Sequence, residues 1–131
     1  RIVLMKRQKL TKKQLEVMKI LWNNSSPMIA SEIEENNPSL NINTIQACLR
    51  ALLKSEYIKI ADIVYSGTVL TRSYTPCVSK EEYFSESFKD IVGSSPFSLF
   101  ASLIDSETDA EELEQLEQLI AKKKEELKKE Q

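Results

Sequence analysis

The spacing of apolar residues changes twice along this chain, and that change limits the fold more than any single motif. Up to Glu56 apolar residues recur every three or four positions, the helical signature. From Tyr57 to Pro76 β-branched and aromatic residues dominate: Ile58, Ile60, Ile63, Val64 and Tyr65, then Val69 and Tyr74. Ser66-Gly67 supplies the turn between the two runs. After Pro76 helical spacing returns. Helices, one β-hairpin and more helices is therefore the expected order. Only 2 Gly and 4 Pro occur in 131 residues, too few for a turn-rich all-β fold.

The helical segments have readable ends. Thr11-Lys12-Lys13-Gln14 has the form of a capping box, opening a first helix over 11–23 with Leu15, Met18, Leu21 and Trp22 inward. Pro27-Met28 reads as an extended connector. A second helix follows over 29–36, ended by Pro38, which disfavours helix at Asn37. Asn43-Thr44-Ile45-Gln46 reads as the cap of a third helix over 43–56. Its stripe, Ile45, Cys48, Leu49, Leu52 and Leu53, is continuous, and its opposite face carries Asn43, Gln46, Ala47, Arg50 and Lys54. Beyond the hairpin, Ser79-Lys80-Glu81-Glu82 caps a helix reaching to about Val92, with Tyr83, Phe84, Phe88, Ile91 and Val92 apolar. A loop over 93–96 leads to a short apolar helix from Phe97 to Ile104. Thr108-Asp109-Ala110-Glu111 then opens a final helix whose acids lie early and lysines late, as the helix dipole favours.

Three short helices followed by a hairpin is the order of a winged helix-turn-helix, with the third helix for recognition and the hairpin as wing. A polar helix face fits the major groove. Gln46 is suited to paired hydrogen bonds with an adenine edge, and Arg50 to guanine or a phosphate. Asn43 and Thr44, at the helix start, suit a phosphate. Lys54, Lys59, Arg72, Lys12 and Lys13 are placed to add charge along a DNA backbone. The charge balance agrees. Residues 1–75 carry 11 Lys+Arg against 6 Asp+Glu, while residues 76–131 carry 7 Lys against 14 Asp+Glu. A basic half beside an acidic half points to two jobs, with double-stranded DNA the expected partner of the first.

Composition narrows the chemistry. There is no histidine, so histidine triads and histidine metal sites are impossible. Cys48 and Cys77 match no zinc spacing; a disulfide between them and two reduced thiols both remain open, the latter expected of a cytoplasmic protein. No glycine-rich phosphate loop and no nucleophile–base pair is present, so neither an enzyme nor a cofactor or metal is expected. No apolar run approaches the roughly 20 residues of a membrane span. The opening stretch, 1–6, is too short for a signal peptide, and Arg1 in place of Met implies a start that lies elsewhere or is processed.

Particular residues also resemble a known family. Leu15-Glu16-Val17-Met18-Lys19-Ile20-Leu21-Trp22 looks like the first-helix signature of the penicillinase repressors. Thr44-Ile45 followed by Leu49, Leu52 and Leu53 is similar to their recognition helix. Arg72-Ser73-Tyr74-Thr75-Pro76 and Val78-Ser79-Lys80-Glu81-Glu82-Tyr83 resemble their second wing strand and the start of their C-terminal domain. The resemblance runs from about Thr11 to Ile120. It implies a homodimeric transcriptional repressor on a pseudo-palindromic operator, with interlocked C-terminal helices. In β-lactam-responsive members a sensor-linked protease cleaves the C-terminal domain and frees the promoter. Ser102-Leu103 stands where those members have an Asn-Phe scissile pair, and no C-terminal cysteine cluster of the copper-responsive kind is present.

The expected architecture is mainly α with a small β-hairpin: a winged helix-turn-helix over 1–76 and a helical dimerisation domain over 77–131. Leu113, Leu116, Ile120 and Leu127 form a heptad seam, flawed at Lys123 and short for two chains unaided. Phe84, Phe88, Phe97 and Phe100, with Leu99, are expected to add apolar area. The alternatives are that these helices fold back on their own winged helix, and that the whole is a protein-interaction adaptor without specific DNA binding.

Overall fold

The computed structural model describes residues 8–89, 93 and 96–130. Among the described residues six helices and three strands lie in the order α1 (Lys12–Trp22), β1 (Met28–Ile29), α2 (Ala30–Asn36), α3 (Ile42–Lys54), β2 (Ile58–Ser66), β3 (Val69–Pro76), α4 (Lys80–Ser87), α5 (Phe97–Ser106) and α6 (Ala110–Lys129). This is a winged helix followed by helices, as the change of periodicity predicts. Contacts divide the chain into two units, Arg1–Phe88 and Lys89–Gln131.

The first unit holds the core. Val17, Met18 and Leu21 of α1, Ile33 of α2, and Ile45, Leu49 and Leu52 of α3 are all but fully buried. Each apolar stripe read from the sequence thus faces the others. The Thr11 capping box forms, with the Gln14 amide donating to Thr11 Oγ1 at 3.2 Å and the Thr11 amide to Gln14 Oε1 at 3.1 Å. The Ser79–Glu82 box forms likewise.

Three local expectations are corrected. Helix α3 begins at Ile42 rather than Asn43, because Asn41 is its N-cap: Asn41 Oδ1 accepts the Thr44 amide at 2.8 Å. Asn43 therefore lies inside the first turn. The Met28–Ile29 connector is a strand. It pairs antiparallel with β3, Met28 opposite Tyr74 and Ile29 opposite Ser73, making a three-stranded sheet in the order β1-β3-β2. The last helix is capped by Asp109 alone, whose Oδ1 accepts the Glu111 amide at 2.9 Å. Of the apolar set expected for α4, Ile91 and Val92 lie outside the described residues.

The hairpin closes through a two-residue loop, Gly67-Thr68, between Ser66 and its partner Val69. Gly67 has φ +65, the positive value that such loops require at their first position. Between Ile60 and Asp62 the register slips by one residue, a bulge at Ala61. The apolar spacing on β2 marks it, since Ile58 and Ile60 are two apart while Ile63 follows after three.

Helix α3 ends in a Schellman motif. The Tyr57 amide donates to the Leu52 carbonyl at 2.9 Å and the Glu56 amide to the Leu53 carbonyl at 3.2 Å. This places Glu56 in the left-handed region, φ 64, where a side chain costs roughly 1–2 kcal/mol. Glycine would remove that cost but adds freedom to the unfolded chain. Glu56→Gly is therefore expected to stabilise the first unit by about 0.5–1 kcal/mol; a lower denaturation midpoint in urea would contradict this.

Helix α4 is fastened to the rest of the first unit through the aromatic side chain of Tyr83. The Tyr83 hydroxyl accepts the Leu10 amide at 3.3 Å. Its ring centroid lies 5.9 Å from both Trp22 and Tyr57. Trp22 Nε1 donates to the Val78 carbonyl at 2.7 Å, tying the end of α1 to the exit of β3. The contact division thus falls after α4, at Phe88, whereas the sequence places the boundary at Pro76.

The second unit contrasts with the first. No residue of α5 or α6 is buried. Phe97, Phe100, Leu103, Ile104, Leu116, Leu119, Ile120 and Leu127 are all exposed.

Candidate nucleic-acid interface

The side of α3 that faces away from the core is built by one constraint. Ile45, Cys48, Leu49 and Leu52 are buried, so at 3.6 residues per turn the residues between them must point out. Asn43, Gln46, Ala47, Arg50 and Lys54 are all exposed, and no other described part of the first unit covers them. Thr44 is half-buried, and its amide is taken by the cap. The result is a polar helical surface with amide, guanidinium and ammonium groups along its length. Ala47 leaves it low enough in the middle for close approach.

The other expected cations divide into two groups. Lys12 and Lys13 lie exposed in the first turn of α1. Lys13 is near enough to Cys48 of α3 for its charge to act on the thiol, so Lys13 borders the α3 surface. Burial pushes the Cys48 thiol above its ordinary range, and the Lys13 ammonium offsets part of this. Cys48 is therefore a protonated core thiol at neutral pH rather than a nucleophile. Both cysteines are free.

Lys59 and Arg72 do not act together. Ile60 pairs with Tyr74, and Ile63 pairs with Arg72. Side chains alternate along a strand, so Arg72 shares a face of the hairpin with Tyr74, Ile60, Ile63, Tyr65 and Leu70. Lys59, opposite Thr75, is on the other face. The wing offers one cation on each side, with Ile63, Tyr65 and Leu70 exposed around Arg72. The bulge at Ala61, which local apolar spacing alone does not specify, sets this arrangement.

Among the described residues the ion pair present is Lys19–Glu16 on α1, at 3.7 Å. Arg50, Lys54, Lys12, Lys13, Lys59 and Arg72 are thus not neutralised by a described carboxylate. Among the described residues no cluster of acidic or thiol groups could hold a metal ion, and no helix is long and apolar enough to cross a membrane.

Of the residues expected at a subunit interface, Phe97 and Phe100 on α5 and Leu116, Ile120 and Leu127 on α6 are exposed, and Leu113 is half-buried. Phe84 on α4 and Phe88, its C-cap, stack on each other, centroids 4.8 Å apart, and Lys9 Nζ lies 5.7 Å from the Phe88 ring. Ser102 and Leu103 are adjacent and exposed on α5.

Against this geometry, the family model described as Penicillinase repressor matches residues 10–122, the winged helix and most of the second unit together. The chain belongs to the penicillinase repressor family. It is accordingly a DNA-binding transcriptional repressor of winged-helix fold. The repressor is similar to two solved regulators. One is the adhesin competence repressor (AdcR) from Streptococcus pyogenes, with TM-score 0.42 and 13% identity over 91% of this chain and 81% of that one. The other is Staphylococcus aureus MarR in complex with salicylate and kanamycin, with TM-score 0.42 and 16% identity over 92% of this chain and 75% of that one. No curated protein matches the repressor.

Proposed function

We propose that the repressor acts as a homodimer on a pseudo-palindromic operator, each subunit laying α3 in the major groove of one half-site. The observation that carries this reading is the bare polar face of α3, exposed from Asn43 to Lys54 while the other face is locked in the core. Gln46 and Arg50 are the base-reading side chains. Asn43, Thr44 and the first amides of α3 take a phosphate, and Ala47 packs against the groove. Lys54, Lys12 and Lys13 contact the backbone beside α3, while Lys59 and Arg72 reach it from opposite faces of the wing. Binding that leans on so many cations falls steeply with salt.

Dimerisation is supported by the second unit, most of whose described apolar side chains are exposed. Two half-sites joined in this way multiply weak single contacts. Induction follows from the same dependence. Ser102-Leu103 lies on α5, and cleavage there by a sensor-linked protease would divide the dimerising helices.

The test is selection of bound sites from random duplexes. Gln46→Ala and Arg50→Ala are each expected to relax preference at one base position by about 1–3 kcal/mol. Equal weakening on every sequence would make them backbone contacts. DNA retention that ignores salt and survives Arg50→Ala would favour the adaptor reading instead.

A further inference from the structure

Three consecutive residues ahead of α1 are each held by an aromatic side chain from much later in the first unit. The Tyr57 hydroxyl, just past the end of α3, donates to the Gln8 carbonyl. The Lys9 ammonium lies 5.7 Å from the centre of the Phe88 ring, within the range of a cation–π contact. The Tyr83 hydroxyl accepts the Leu10 amide at 3.3 Å, and Leu10 and Tyr83 both pack against the core. Residues 8–10 thus form a strap that holds the end of α3 and the whole of α4 together. Tyr83 is its central anchor, because its ring also lies 5.9 Å from Trp22 and from Tyr57.

We propose that Tyr83 is a positioning residue for operator recognition: by fastening α4 to the winged helix it shortens the connection to the dimerising helices, and so fixes the half-site spacing that the repressor accepts. The inference rests on the homodimer reading and adds what sets its spacing. The physical argument is one of reach. From Phe88 to Phe97 the chain runs nine residues, which span at most about 32 Å in any conformation. Were α4 free of the winged helix, the connection would start at Pro76 and run 21 residues, with a reach of about 75 Å. Half-site centres on one face of DNA are about 34–36 Å apart. Two short connections, one from each subunit, have a reach of the same order as that separation, so a change of one base pair, with its rotation about the DNA axis, is felt. Two long ones exceed it several times over and carry no such information. Effective concentration falls with about the −3/2 power of connection length, so releasing α4 lowers affinity at the best spacing roughly fourfold. Tyr83 touches no DNA in this scheme, and binding to a single half-site does not depend on it.

A spacing series tests this. Duplexes carry two inverted copies of the half-site selected from random DNA, with their separation varied one base pair at a time over a full helical turn. The parent chain is expected to prefer one separation sharply. Tyr83→Ala is expected to bind that separation about fourfold more weakly and to lose most of its discrimination against the neighbouring ones, with single half-site binding unchanged. Tyr83→Phe, which keeps the ring and drops the hydroxyl, should fall between the two. A second variant does not touch the core: Gly-Ser-Gly-Ser inserted after Gly93 in the full chain lengthens the connection and should also flatten the profile. Equal weakening of Tyr83→Ala at every separation and on the single half-site would make Tyr83 a purely structural residue and overturn the proposal. An insertion variant as selective as the parent would overturn it too, even if Tyr83→Ala failed to fold. A monomeric parent in sedimentation would remove the homodimer reading and this inference with it, whereas a dimeric parent whose profile survives both changes would remove this inference alone.

Discussion

Leu116→Glu is expected to turn the repressor into a monomer while leaving the first unit folded, and to cut operator affinity by about 10²–10⁴-fold. Leu116 lies on the α6 seam and is 37% exposed. In the isolated chain the substitution therefore removes little. In a dimer it sets an unpaired carboxylate in a dry interface, at a cost of several kcal/mol. The two half-sites then bind independently and the avidity is lost. Sedimentation and operator titration, run on the same samples, check both halves of the expectation. A variant that remains dimeric would remove α6 from the interface, and a monomer with undiminished affinity would remove dimerisation from the binding mechanism.

Leu52→Ala should have the largest effect on stability, about 2–5 kcal/mol. Leu52 is fully buried, and its carbonyl accepts the Tyr57 amide that ends α3. It packs in the core formed by α1, α2 and α3, so truncation opens a cavity where three elements meet. In a unit of this size the loss corresponds to a fall in melting temperature on the order of 10–30 °C. DNA binding below the new transition should persist, because Leu52 is on the opposite side of α3 from Arg50. A melting temperature lowered by only a degree or two would mean that the site collapses around the smaller residue.

These two expectations draw on different parts of the chain, and the parts were not equally legible. The stripes of α1 and α3 were plain in the sequence because each helix buries one face, which writes a regular spacing. For the same reason the polar face of α3 was legible down to Gln46, Arg50 and Lys54. The capping boxes at Thr11 and Ser79 were legible because both partners are in the sequence at fixed spacing. Asn41 caps α3 instead of Asn43, since either residue type can cap and the choice depends on which turn of α3 meets the core. Two residues of β1 carry no periodicity at all, so that strand became visible only once β3 lay beside it. Tyr83 looked like one more apolar residue of a C-terminal helix, and its place against Trp22 and Tyr57 depends on residues far apart in the chain.

The sequence alone determined the order of the elements, the sides of the helices that must be buried and the absence of histidine chemistry, because these follow from periodicity and composition within short windows. Only the tertiary structure decided that α4 is fastened to the winged helix, that the bulge sends Lys59 and Arg72 to opposite faces of the wing, and that α5 and α6 leave their apolar side chains uncovered. Each of those depends on which distant segments meet, and pairing across a sheet or between helices is set by contacts that no local spacing records.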